Sequence, residues 1–126
     1  MQPVLWHVYH VRNCRHTRPN PKDKFVVIVH IDSNPRGFLI NSQISNWLQN
    51  RPKLLVCQAR IQAQDAPFLS HDSYVACHDL YEFFNDELTN SRGPIDLQTK
   101  NAILQAVKTC PTIEQKYKNI ILTQTP

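Results

Sequence analysis

Seven consecutive residues, Phe25 to Ile31 (FVVIVHI), are apolar except for a single histidine. A half-buried strand alternates apolar and polar side chains, whereas a run apolar at both parities has to be covered on both sides. A helix crossing a bilayer needs about 20 apolar residues, so this run is too short to be one. It reads as a central strand of a sheet.

Leu5 to Val11 (LWHVYHV) alternates, with Trp6 and Val8 on one face and His7 and Tyr9 on the other. Asn13 to Lys24 (NCRHTRPNPKDK) reads as a basic, turn-forming loop, because Pro19 and Pro21 interrupt both helix and strand. After the central run, Asp32 to Gly37 makes a turn and Phe38 to Asn41 returns as a strand. Ser42 to Asn50 has Ile44, Trp47 and Leu48 at helical spacing, with Ser42 as a cap and Pro52 as a stop.

Lys53 to Tyr81 holds two further alternating runs around a polar connector, Ser70-His71-Asp72-Ser73. Leu55, Cys57, Ala59 and Ile61 share one face of the first run, and Gln58 and Arg60 the other. In the second, Val75, Cys77, Asp79 and Tyr81 alternate with Tyr74, Ala76, His78 and Leu80. The four cysteines show no paired spacing, so Cys57 and Cys77 read as buried, reduced thiols. Two helices close the chain. Asp96 caps the first, with a stripe of Ala102, Ile103, Ala106 and Val107. Thr112 and Gln115 form a capping box for the second, with Ile113, Tyr117, Ile120 and Ile121 as its apolar face. Strands first and helices last predict one α+β domain over residues 1–126, with helices packed on a curved antiparallel sheet.

Several chemistries lose their footing in the sequence. With only Gly37 and Gly93, no Gly-rich phosphate loop can form. His71-Asp72-Ser73 has the residue types of a hydrolase triad, but triad members converge from separate elements. His7, His10, Cys14 and His16 could ligate a metal, yet His7 and His10 point to opposite strand faces and no Cys-x-x-Cys pair exists. No metal site and no cofactor are expected. The N-terminus lacks a secretory signal and no membrane span is present, so a soluble, cytoplasmic protein is expected.

Metal-independent RNA cleavage is one chemistry that the remaining histidines and cations could serve. It needs a base for the 2′-hydroxyl proton, an acid for the leaving oxygen and a cation for the phosphorane. His71 and His78, flanking one short segment, and Arg60 on the neighbouring strand are the candidates for these roles. Arg15, Arg18, Lys22 and Lys24 in the basic loop are candidates for binding RNA phosphates, in keeping with a formal charge of +4.

The order of elements resembles the PemK/MazF family of toxin–antitoxin ribonucleases over roughly Lys24 to Leu122. A basic loop leading into an apolar strand matches Lys22 to Ile31, and a late strand matches Tyr74-Val75-Ala76-Cys77-His78-Asp79-Leu80-Tyr81. The tail pattern matches Gly93, Ile95, Ile103, Ala106 and Val107. The resemblance implies a small half-open, SH3-like antiparallel barrel with C-terminal helices, action on single-stranded RNA, a protein antitoxin and a homodimer. The family's early Arg-Pro pair is Lys24-Phe25 here, its late-strand arginine is Tyr81, and its Pro-Thr-His stretch has no clear counterpart. Two readings therefore stand. One is a toxin-like, metal-independent endoribonuclease; the other is a non-catalytic nucleic-acid- or protein-binding module on the same barrel.

Overall fold

Apolar residues at both parities of the central run are covered as the pattern requires. In the computed structural model, which describes residues 2–123, Val26, Val27, Ile28 and Val29 are all fully buried. They belong to β2 (Lys22–Ile31), which lies between β1 (His7–Cys14) and β3 (Pro35–Asn41). The antiparallel sheet has seven strands. Beyond β3 come β5 (Ser73–Ala76) and β4 (Gln58–Ile61) at one edge, and β7 (Ser91–Pro94) flanks β1 at the other.

Each face of β2 builds its own core. Val27 and Val29 join Val8, Phe38, Ile40, Ile61 and Val75, and this face is covered by the helices through Ile103, Val107 and Ile121. Val26 and Ile28 join Tyr9, Val11, Leu39, Phe83 and Leu88 on the other face. Gly37 sits where β2 and β3 approach closely, and a Cβ there would run into the Val27 carbonyl.

The helices follow the expected logic with local corrections. Asp96 caps α3 (Leu97–Thr109) by accepting from the Thr99 amide at 3.1 Å. Ser45, rather than Ser42, caps the short α1 (Asn46–Gln49). Pro52 does not simply stop it; it opens a second turn, α2 (Pro52–Leu55), where its missing N–H costs nothing. The capping box expected at Thr112 is not formed. Its hydroxyl donates instead to the His78 carbonyl at 2.6 Å, and α4 (Gln115–Thr123) begins after Glu114.

Two further expectations shift. The basic loop is shorter than its prolines suggest, because Cys14 pairs with Lys22 and both flanks are strand. The late run is not one strand. It breaks at residues 77–80 and resumes as β6 (Tyr81–Glu82). One edge of β3 is therefore shared, β5 pairing at Ile40 and Asn41 and β6 at Arg36 and Gly37. The alternation continues through the break, which hides it from a pattern reading.

Candidate functional site

The connector that carries His71 is held by its neighbours on both sides. The Ser73 hydroxyl donates to the His71 carbonyl at 3.0 Å. Asp72 accepts from the Ala63 amide at 2.9 Å and from the Arg60 guanidinium at 2.6 Å. These contacts fix the backbone while the His71 ring stays exposed, its Nδ1 3.1 Å from the Ser70 hydroxyl.

His71 borders a groove of about 320 Å³ at the end of the sheet, shared with His10, Asp23, Lys24, Ser42 and Ser73. Phe25 and Phe68, with ring centres 5.0 Å apart, supply its apolar wall. His10 comes from β1 and rests edge-on against Phe25 at 5.3 Å, with its Nε2 3.9 Å from the Asp23 carboxylate. Lys24 comes from β2 and donates to the Asn41 side-chain oxygen across the β2–β3 pair. Burial lowers the Lys24 pKa, and the nearby Lys22 charge adds to the effect. A partly desolvated ammonium acts on a neighbouring anion with less competition from water.

The other two proposed catalytic groups lie elsewhere. His78 is at the far end of the β4–β5 hairpin, with the four residues of β5 between it and His71. Its Nδ1 meets the Gln58 amide at 3.0 Å and its Nε2 lies 3.4 Å from Asp79. Burial lowers the His78 pKa against the opposing pull of Asp79. Arg60 pairs with Tyr74 on β5 and is not among the residues that line the groove. Of the trio read from the sequence, only His71 borders the groove.

The four basic candidates also divide. Arg15 donates to the Glu82 carbonyl at 2.9 Å, pairs with Glu87 at 3.4 Å and lies over the Phe84 ring. Arg18 donates to the carbonyls of Arg15 and Thr17. Arg15 holds the turn against the β6 segment, and Arg18 braces the turn itself. Lys22 is exposed at the start of β2, and Lys24 alone of the four lines the groove.

His10, Asp23 and Ser42 escaped the sequence reading as site residues. They meet His71 only through the β1–β2 and β3–β5 pairings, and no local spacing announces those. Among the described residues, no group of three or more His, Cys, Asp or Glu side chains is placed to hold a metal ion. No helix among them is long and apolar enough to cross a membrane.

Among solved structures, the Mycobacterium tuberculosis toxin MazF-mt6 is similar to this chain, with a TM-score of 0.57. The two are 14% identical, and the match covers 79% of this chain and 90% of that one. No family model matches the sequence, and no curated protein does. The curled antiparallel half-barrel with C-terminal helices is thus a MazF-like fold, divergent in sequence.

Proposed function

We propose that this chain is a toxin-like protein that cleaves single-stranded RNA without a metal, using the groove that joins His71, Lys24 and His10. That juxtaposition, two histidines and a half-buried lysine drawn from three separate segments to one groove, carries the reading. The MazF-like fold supports it at the level of architecture.

In this mechanism His71 accepts the 2′-hydroxyl proton through Nε2, which has no hydrogen-bond partner among the described residues. The 2′-oxygen then attacks the adjacent phosphorus. The Lys24 ammonium, oriented by Asn41, balances the charge that develops on the phosphorane oxygens. His10 gives a proton to the departing 5′-oxygen, leaving a 2′,3′-cyclic phosphate and a 5′-hydroxyl. Arg15, Arg18 and Lys22 would extend the contact along the phosphate backbone, most of it electrostatic. A protein antitoxin and a homodimer complete the proposal, by analogy with the family that the sequence resembles.

The test is incubation of a mixed-sequence single-stranded RNA with the protein in EDTA, alongside growth on induced expression. Cleavage ending in cyclic phosphate, with growth arrest, is the expected result. Both should disappear in His71→Ala. If the wild type leaves the RNA intact but binds it, the non-catalytic module on the same barrel replaces the enzyme.

A further inference from the structure

Four side chains make a straight row across the sheet on the face away from α3 and α4. Asn41 pairs with Tyr74 and Tyr74 with Arg60, while the Phe25–Ile40 pair sets Lys24 opposite Asn41. Directly paired residues in antiparallel strands share a face. The row therefore reads cation, amide, aromatic, cation over β2, β3, β5 and β4. At a strand spacing of about 4.8 Å it spans roughly 14 Å.

Tyr74 is the unusual member. Its ring is half-exposed and lies against no other aromatic ring among the described residues. It forms one wall of an open cleft of about 530 Å³, whose other walls are Ser42, Gln43, Ile44, Gln49 and Leu55. The lining thus combines one aromatic, two aliphatic and two glutamine side chains with a serine. Gln49 Nε2 donates to the Ile44 carbonyl, and Gln43 makes no side-chain hydrogen bond among the described residues. Arg60, at one end of the row, gives a single guanidinium nitrogen to Asp72 and is otherwise open to water. An exposed pair of this kind is weak enough for a phosphate to share the guanidinium.

We infer that the Tyr74 cleft is a nucleobase subsite, in which an unpaired RNA base stacks on the Tyr74 ring with its flanking phosphates on Lys24 and Arg60. Stacking suits a single-stranded ligand, since every base has a π-face and the cleft is open. Gln43 and Gln49 also line the cleft and supply amides that can hydrogen-bond the edge of a stacked base. Ser42 lines both this cleft and the His71 groove, so the subsite is contiguous with the proposed point of cleavage. The inference rests on the RNA-acting reading and adds to it where a neighbouring nucleotide is held.

Binding of a fluorescently labelled single-stranded RNA, measured by anisotropy in EDTA and in a His71→Ala background, tests it without cleavage. Adding Tyr74→Ala should weaken binding roughly ten- to hundredfold, the usual effect of losing one base–aromatic stack. Tyr74→Phe should bind within about threefold of the parent, because the ring rather than the hydroxyl carries the contact. An abasic version of the RNA should bind weakly and be insensitive to Tyr74→Ala. Arg60→Ala should reduce the slope of log affinity against log salt by about one, while Tyr74→Ala leaves the slope unchanged. Circular dichroism confirms that each variant folds. If Tyr74→Ala binds as the parent does while RNA is still bound, the subsite is wrong and the RNA-acting reading survives. Equal losses in Tyr74→Phe and Tyr74→Ala overturn the stacking assignment. If the protein binds no RNA at all, both readings fall together.

Discussion

His71 and His78 sit at opposite ends of one hairpin and live in different chemical worlds. The first is exposed, leaves a ring nitrogen free and borders a groove. The second is half-buried, has both ring nitrogens engaged by Gln58 and Asp79, and lends its carbonyl to Thr112. A histidine that exchanges protons with a ligand needs an open nitrogen and water or substrate beside it. A histidine used as a structural joint needs the reverse. The same residue type at the two ends of one hairpin thus meets two environments, and the roles proposed for the two histidines follow from that difference in burial and hydrogen bonding.

The comparison breaks most sharply in the cleavage rate. His71→Ala should lower it by about 10²–10⁴-fold, the usual contribution of one positioned acid or base, with little change in melting temperature. His78→Ala should leave the rate within about threefold. Its effect belongs in stability instead, a loss of about 1–2 kcal/mol by urea titration, because the Gln58 amide keeps the Leu54 carbonyl but loses its second partner. Rates that fall together in both variants would erase the distinction.

A finer version uses pH. Burial lowers the folded-state pKa of His78 below the unfolded value of about 6.5, so the unfolded chain binds the proton more readily. Stability from this group is complete above about pH 6.5. It declines as pH falls through that value and levels off below the lowered folded-state pKa. His78→Gln should be less stable near pH 7.5, yet lose less on acidification than the wild type. Denaturant titrations of both proteins at several pH values between about 5 and 8 measure the difference.

The smallest expected effect concerns the thiols beneath the His78 end of the hairpin. Cys57 and Cys77 are fully buried and unpaired, as the alternation predicts. Burial, with the Cys110 thiol nearby, pushes Cys57 up to about 12, and burial also raises Cys77. Labelling by a maleimide at pH 7.5 should be slow until denaturant is added. In His78→Ala it should quicken only modestly, in step with the loss of stability. Fast labelling in the native wild type would show that this end is open.

Patterns that report a residue's own burial were readable. The doubly apolar β2, the Asp96 cap, the α3 stripe and the buried cysteines each follow from local alternation or spacing. The break between β5 and β6 was not, because residues 77–80 keep alternating through the turn. The site was legible only in part, for a related reason. His71 stood out in its polar connector, but its companions His10, Lys24 and Ser42 lie on β1, on β2 and just after β3. Pairing between distant strands is a property of the assembled sheet. His78 looked equivalent to His71 because exposure at a strand end depends on what packs there, here Gln58 and the turn before α4.

The first strand also governs when the sheet can be completed. β1 pairs with β2 soon after both are synthesised, but its other edge waits for β7, where His7 meets Pro94. Sheets dominated by such distant pairings fold in milliseconds to seconds, far slower than helical bundles. A growing chain emerges at roughly 5–20 residues per second. For several seconds a ribosome-bound fragment therefore carries His10 and Lys24 without His71, and then all three without the strand that completes the sheet.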